Sequence, residues 1–189
     1  MTEDNPESPS LPKPEDQEQE LEDIVARHEA ALLRYATRLV NDVTAAQDVV
    51  QKTFIKLCHS WKTGTHPTAQ LSAWLYRVTH NAAVDYIRSE SRRSTLLKKH
   101  ASDREARTAR GPNQNEISEA ADLAAQMLKL LSLRERQLVI LKVYEEKSYR
   151  EISAITGLTE SNVGYILHHS MKKLAEMLKA DIAARKSES

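Results

Sequence analysis

The chain contains 189 residues, with 27 Lys and Arg against 27 Asp and Glu, one cysteine, four glycines and one phenylalanine. This length fits one or two small domains, and so few glycines and aromatic residues argue against a β-sandwich or barrel. One cysteine cannot form an internal disulfide, no apolar run is long enough to span a bilayer, and the first residues do not resemble a secretory signal, so we expect a soluble, all-α protein of the cytoplasm.

The balanced net charge conceals an uneven distribution along the chain. Residues 1–23 contain nine acidic residues and one basic residue, which leaves 26 basic and 18 acidic residues in the remainder. Such asymmetry is typical of proteins that bind nucleic acid. Residues 1–20 also contain four prolines, and we expect a disordered acidic tail there. This tail either competes for the basic surfaces or simply extends into solvent.

Three segments with helical spacing of apolar residues predict a first domain over residues 21–91. The first helix runs from Leu21 and ends at Asn41-Asp42. Thr44 to Gln47 has the form of a capping box for a second helix over about 45–60. A polar loop over 62–70 precedes a third helix over about 71–88.

A second helical domain is predicted over residues 116–180, after a basic, polar and flexible linker over 92–115 and before a short tail over 181–189. Two Ser-x-x-Glu capping boxes, starting at Ser132 and Ser148, predict helices over about 135–145 and 149–156. Gly157 suits a left-handed helix end, and Thr159 suits the amino-terminal cap of a last helix over about 160–180.

Residues 149–174 have the pattern of a helix-turn-helix, with a tight turn at Gly157-Leu158 between two helices that each have one apolar face. The second helix would lie in the major groove of duplex DNA. Its polar face, together with one basic residue of the first helix, supplies the predicted DNA contacts: Arg150, Ser161, Tyr165, His168, His169 and Lys172. An ordinary helical hairpin with a solvated polar face is the alternative interpretation.

Two further exposed stripes lie in the first domain. Asp48, Gln51, Lys52 and Ile55 share one face of the second helix. Taken alone, such a stripe is a solvated polar face, and the exposed isoleucine mildly favours a protein-docking surface. Arg77, Asn81 and Arg88 share one side of the third helix, near Lys62 and the polar loop. Arginine stacks on bases and binds phosphate, and asparagine reads base edges, so an unpaired base is a candidate ligand. Helix caps and solvated charges are the alternative.

The sequence offers no catalytic site. It contains no phosphate-binding glycine loop, no metal-ligand spacing of cysteine or histidine, and no nucleophile with a suitable partner. His168 and His169 are adjacent on a helix and therefore point about 100° apart, which disfavours a shared metal ion. We expect no enzymatic activity and no cofactor.

Three motifs occur in order: Asp48 to Leu57, Ala73 to Arg88, and Leu133 to Arg136 followed by Ser148 to Ile152. Together they resemble the bacterial RNA polymerase sigma factors of the extracytoplasmic-function group, over about residues 21–178. The resemblance implies a sigma region 2-like domain and a region 4-like domain, in a subunit that binds core RNA polymerase and directs it to promoters. It also implies a possible anti-sigma factor as a partner.

The resemblance also implies roles for the three stripes. The face with Asp48, Gln51, Lys52 and Ile55 would bind core polymerase. Arg77, Asn81, Arg88 and Lys62 would hold the melted −10 element, and the polar face of the helix-turn-helix would read the −35 element.

The recognition helix departs from the family pattern. The family usually has arginines where this chain has Ile166 and His169, and often a basic residue at the position of Gly164. We expect Ile166 to face the core, and we expect fewer phosphate contacts and a shallower salt dependence for this domain. A polymerase-independent helix-turn-helix regulator, whose first domain senses a ligand or dimerises, is the alternative function. It would bind duplex DNA tightly by itself.

Overall fold

The computed structural model describes residues 14–63, 65, 70–100 and 119–187. Within these ranges the chain is helical and has no strand, which confirms the all-α expectation. The helices in chain order are α1 Pro14–Val40, α2 Val43–Lys62, α3 Leu71–His100, α4 Glu119–Lys129, α5 Leu133–Val139, a π-helical turn Ile140–Tyr144, α6 Tyr149–Thr156 and α7 Glu160–Ser187.

Helices α1, α2 and α3 pack around one apolar core. Leu32, Leu57 and Leu75, one from each helix, are completely buried in it. The hydroxyl oxygens of Thr53 and Thr79 lie 3.1 Å apart between α2 and α3. Each hydroxyl also lies within hydrogen-bonding distance of the carbonyl four residues earlier, so both buried groups have partners without a charged neighbour.

The capping box predicted at Thr44 is wrong. Asp42 caps α2, with its Oδ1 accepting a hydrogen bond from the N–H of Ala45 at 2.9 Å. Asn41 adopts a left-handed φ of 58°, which ends α1 and turns the chain directly into the next helix. Because the turn is this short, the aspartate falls at the first free backbone donors, and a carboxylate is favoured at that end of a helix dipole.

Helices extend into segments expected to be irregular. Helix α1 begins at Pro14, so residues 14–20 of the expected tail are helical, and six of the nine acidic residues of the segment 1–23 lie on α1. Proline suits a first helical turn because the missing N–H would have no partner there. Helix α3 likewise continues through His100, so residues 92–100 of the expected linker are its last turns. The rest of these two segments, 1–13 and 101–115, lies outside the described residues.

The helix caps predicted for the second half of the chain are present. Both capping boxes form, Gly157 has φ 73°, and the Thr159 hydroxyl accepts from the N–H of Asn162 at 3.2 Å. The helix expected over 135–145 instead spans Leu133–Val139 and continues as the π-helical turn, in which the N–H of Glu145 donates to the Ile140 carbonyl. Helix α7 continues beyond the predicted end at 180, through Ser187.

The two halves of the molecule pack against each other. Helix α3 lies against α6, and α1 lies against α5 and the π-helical turn. The buried cluster is continuous from Leu39 and Leu75 in the first half to Ile140 and Ile155 in the second. This closed arrangement was not predicted from the sequence. Within the described residues, no helix has the length and apolar character needed to cross a bilayer.

Candidate nucleic-acid interface

The predicted stripe on α2 is exposed. Asp48, Gln51 and Lys52 all face solvent, and Ile55 is 61% exposed although it is apolar. These positions recur every three to four residues, opposite the buried residues Val49, Val50 and Leu57. A groove of about 530 Å³ lies beside them, lined by Lys52 and Ile55 together with Asp85, Tyr86 and Arg92 from α3. The stripe therefore borders a concave surface in which an apolar side chain of a partner can be buried.

The predicted stripe on α3 lines a second cavity. Arg77, Asn81 and Arg88 lie on one side of the helix and border a cleft of about 540 Å³. The opposite wall comes from the second half of the chain and includes Arg134 and Gln137. Lys62 is exposed at the end of α2 but does not line this cleft, and residues 64 and 66–69 of the neighbouring loop lie outside the described residues.

Arg77 is engaged by the second half of the chain. Its Nε donates to the carbonyl of Ile155 at 3.2 Å, and its Nη2 donates to the carbonyl of Ala154. Both carbonyls belong to the last turn of α6, where the helix itself provides no donor. A guanidinium is favoured at this negative end of a helix dipole, so Arg77 acts as a cap for α6.

Three neighbouring contacts join the same two halves. The buried hydroxyl of Tyr76 donates to Glu145 Oε2 at 2.9 Å, and the Lys147 ammonium lies 5.2 Å from the centre of the Tyr76 ring. Burial, followed by the nearby Glu145 carboxylate, raises the pKa of Tyr76 above its ordinary value. Arg136 Nη1 donates to the carbonyl of Leu39 at 3.2 Å. These bonds are directional and therefore fix one relative orientation of the halves.

His80 lies beside Arg77 but is not a cation at neutral pH. Its Nδ1 is 3.1 Å from the hydroxyl of Tyr35, which is fully buried. Burial, with a smaller contribution from Arg134, lowers the pKa of His80 to about 4. At neutral pH the positive charge of the predicted stripe on α3 therefore comes from Arg77 and Arg88.

The polar face of α7 is solvent-exposed. Ser161, His168, His169 and Lys172 face solvent, and Tyr165 is 67% exposed. The rings of Tyr165 and His169 pack edge to face with centres 4.2 Å apart, which limits the freedom of both side chains. Arg150 is exposed on the first turn of α6.

The inward face of α7 explains one departure from the family pattern. Ile166 packs against the core, as expected, beside the buried Val163 and Leu167. A Cβ at Gly164 would lie 3.3 Å from the ring of Tyr149 on α6, so this position lies where the two helices of the motif approach closely. A long basic side chain there would have to displace that ring.

Comparison with known proteins identifies the two halves. The Sigma-70 region 2 family matches residues 24–93, and the Sigma-70 region 4 family matches residues 121–174. The chain is 31% identical to the RNA polymerase sigma-E factor of Streptomyces coelicolor, over 88% of this chain and 90% of the relative. It is 32% identical to the ECF RNA polymerase sigma factor SigL of Mycobacterium tuberculosis, over 78% of this chain and 82% of the relative.

This chain is an ECF RNA polymerase sigma factor. It is accordingly a promoter-specificity subunit of RNA polymerase, as the sequence motifs predicted.

Solved structures share the fold of this sigma factor. RpoE of Bartonella quintana, in complex with the anti-sigma factor NepR, superposes with a TM-score of 0.63 at 22% identity, over 86% of this chain and 99% of that chain. CnrH, in complex with the cytosolic domain of CnrY, superposes with a TM-score of 0.62 at 25% identity, over 87% of this chain and 90% of that chain.

Sequence reasoning missed the residues that hold this sigma factor closed. Tyr76 and Arg136 lie within the motifs Ala73 to Arg88 and Leu133 to Arg136, but nothing in these motifs indicates their partners, which lie 69 and 97 residues away along the chain. Arg134 was noted only as part of a capping box and of the second of these motifs. In the described part of the chain, no group of three or more His, Cys, Asp or Glu is arranged to hold a metal ion.

Proposed function

We propose that this sigma factor divides promoter recognition among three surfaces, each carried by a different helix. The observation that carries the proposal is that the polar residues predicted on α2, α3 and α7 are exposed, while apolar residues on other faces of the same helices pack into the core. Packed helices hold the side chains of each surface in defined positions, as recognition of a partner requires. The region 2-like domain spans 21–91 and the region 4-like domain 116–180.

Core polymerase binds the α2 surface made by Asp48, Gln51, Lys52 and Ile55. The exposed Ile55 supplies an apolar anchor at the edge of the groove between α2 and α3. The surrounding charged residues of both signs select a partner with complementary charges. This combination suits a helix of the polymerase whose apolar residues enter the groove.

The α3 surface holds an unpaired base of the −10 element, through Arg77, Asn81 and Arg88, with Lys62 near the loop contributing a phosphate contact. Removing a base from the duplex costs a few kcal/mol of stacking, so a surface that binds the unstacked base favours the melted promoter. Asn81 supplies both a donor and an acceptor for a base edge, and the arginines supply charge and a stacking plane.

The α7 surface reads duplex DNA at the −35 element. Ser161 and Tyr165 lie on the first turns of the helix, which enter the major groove in a helix-turn-helix. His168 and His169 extend the base-reading face, while Lys172 and Arg150 contact phosphates. Few of these groups carry a formal charge, so base readout contributes a larger share of the affinity.

Promoter binding requires the two halves to separate. The carbonyls of Ala154 and Ile155 occupy Nε and Nη2 of Arg77 in the closed form, so α6 competes with an unpaired base for this guanidinium. Polymerase shifts this equilibrium if it binds the open form more tightly than the closed one. An anti-sigma partner, of the kind found with RpoE of Bartonella quintana, would shift it in the opposite direction by binding the closed form. The chain acts by binding and carries out no chemistry of its own.

Run-off transcription with purified core polymerase and a pool of promoter fragments tests the proposal. We expect specific transcripts only when the sigma factor is present. Asp48→Arg should abolish association with polymerase, while Glu22→Arg, the same charge change at an exposed position of α1, should not. If the free chain bound duplex fragments tightly and polymerase added nothing, a polymerase-independent regulator would be the correct function.

A further inference from the structure

The cleft between the two halves is lined by three arginines and no acidic residue. Arg77 and Arg88 come from α3, and Arg134 comes from α5 on the opposite wall. The remaining lining residues are neutral polar or apolar, and the cavity volume is about 540 Å³. Like charges that face one another across a partly enclosed space repel, and the repulsion is screened less than on an open surface.

Two of these arginines have no partner within the described residues. Arg77 bonds to the carbonyls at the end of α6, but neither Arg88 nor Arg134 forms a hydrogen bond or ion pair there. Lys147 pairs with Glu151, and Lys173 pairs with Glu135, so neither of these ion pairs involves Arg88 or Arg134. The guanidinium groups of Arg88 and Arg134 are therefore available to a bound anion.

His80 and Asn81 complete the chemistry of the cleft. Burial, with a smaller contribution from Arg134, lowers the pKa of His80 to about 4, which places this ring within the field of the arginine. Asn81 adds an amide donor between the two ends of the α3 wall. Asn81 therefore provides a donor for an anion, whereas His80 adds no charge at neutral pH.

We propose that this cleft binds a polyphosphate anion that bridges Arg88 of the first half and Arg134 of the second. A guanidinium binds phosphate oxygens through two parallel N–H donors, which gives phosphate an advantage over a monovalent ion. Arg77 and Arg88 are eleven residues apart, or about 16 Å along the helix. The free guanidinium of Arg88 lies at one end of this wall and Arg134 lies on the facing wall, so an anion of several phosphates offers each arginine its own oxygens.

Such an anion stabilises the closed form. The walls that carry Arg88 and Arg134 face each other only while α3 lies against the second half, so the anion binds the closed form more tightly than the open one. This inference rests on the proposed function in one respect, because Asn81 and Arg88 are then withheld from promoter DNA. A polyphosphate is therefore a competitor of the melted promoter.

Calorimetric titration of the full chain with sodium tripolyphosphate, at constant ionic strength and without polymerase, tests the site. We expect Arg88→Gln and Arg134→Gln each to weaken binding by about tenfold, since each removes a charge-assisted contact. Arg93→Gln, an exposed arginine of α3 outside the cleft, is the matched control and should leave the affinity unchanged. Equal affinities for all four proteins, or no binding by the native chain, would overturn the proposal.

A second variant tests whether the anion bridges the halves. Glu145→Gln weakens a contact that holds the molecule closed, and residue 145 does not line the cleft. It should weaken tripolyphosphate binding, because a smaller fraction of the chain is then competent to bind. An unchanged affinity in this variant, when small-angle scattering shows it to be more open than the native chain, would mean that the anion binds α3 alone, which contradicts the bridge. Run-off transcription by Arg134→Gln without the anion should match the native protein, so failure of this site and failure of the sigma function are separable.

Discussion

Arg77 of α3 donates its hydrogen bonds to the carbonyl oxygens of Ala154 and Ile155, at the carboxyl end of the first helix of the helix-turn-helix. The side chain assigned to the melted promoter thus also completes the capping of a helix in the other domain. In the proposed scheme, promoter engagement therefore competes with the closed arrangement for this guanidinium.

The contact between Tyr76 and Glu145 can be weakened without touching a proposed DNA-binding residue. Glu145→Gln replaces a hydrogen bond to a carboxylate with a neutral one, which we expect to favour opening by about 1 kcal/mol. Small-angle scattering should report a larger radius of gyration, and hydrogen exchange should accelerate at the facing turns of α3 and α6. Glu146→Gln, at the adjacent exposed residue, is the control. Unchanged scattering in both variants would mean that this bond does not hold the halves together.

The Ser148 cap of α6 should contribute to stability. Its hydroxyl accepts from the N–H of Glu151, and the Glu151 carboxylate accepts in return from the N–H of Ser148. Ser148→Ala should lower the free energy of unfolding by about 1 kcal/mol in urea denaturation. Ser94→Ala, at an exposed position within α3, should change it by only a few tenths. Equal effects would show that the capping box contributes nothing.

Stability should fall in acid through the two capping boxes. Hydrogen bonds from the hydroxyl and then the backbone N–H of Ser148 hold the pKa of Glu151 below its ordinary value of 4.5, and Ser132 does the same for Glu135. Because these carboxyl groups have a lower pKa in the folded chain, the unfolded chain binds more protons in acid. The stabilisation is therefore complete above pH 4.5, and it is lost as the pH falls through the lower pKa values of the folded chain.

The measurement for this prediction is the urea midpoint between neutral pH and pH 3. Glu151→Gln should be less acid-sensitive than the native chain, whereas Glu176→Gln, at an exposed position of α7, should retain the native dependence. A native pH profile in Glu151→Gln would contradict the assignment.

Glycine at position 164 lowers the stability of α7 but leaves space for the ring of Tyr149. Gly164→Ala places a Cβ 3.3 Å from the Tyr149 ring, but that ring is 42% exposed and belongs to the end of a side chain that can move. The gain in helix propensity, about 1 kcal/mol, should therefore exceed the cost of moving the ring. We expect net stabilisation of about 0.5 kcal/mol in thermal unfolding, rising towards the full gain in a Tyr149→Ala background. Destabilisation in that background would mean that contacts other than the ring decide the effect.

Lys172 should contribute phosphate binding without sequence preference. In the complex with polymerase, Lys172→Ala should weaken binding to all promoter fragments alike and reduce the slope of log affinity against log salt by about 1. Lys179→Ala, two turns further along α7, is the control for a general loss of charge. A change in the preferred sequence would instead assign Lys172 to base readout.

Local signals in the sequence predicted most of the second domain. Both serine capping boxes, the left-handed Gly157 and the Thr159 cap occur as predicted, because each depends on backbone groups within a few residues. The start of α2 was misplaced because both Asp42 and Thr44 are residues that can cap a helix. The left-handed turn at Asn41 places Asp42, and not Thr44, at the first free N–H groups. The end of α3 was misplaced because residues 92–100 contain no glycine or proline to stop a helix.

The contacts between the halves could not be predicted in the same way. The acceptors of Arg77 lie 77 and 78 residues further along the chain, and they are backbone carbonyls, which carry no side-chain signature. Exposed arginines on α3 are equally suited to DNA, to a helix end and to a free anion. Only the packing of α3 against α6 decides which of these partners an arginine meets.

Because the bond from Arg136 to the Leu39 carbonyl joins two parts of one polypeptide, closure is a unimolecular event. Dilution of the sigma factor leaves the ratio of closed to open molecules unchanged, whereas occupancy by polymerase rises with the concentration of polymerase. In the proposed scheme, the fraction of this chain bound to polymerase therefore rises with the amount of free core enzyme, and a change in that supply alters promoter use without more of this chain being made.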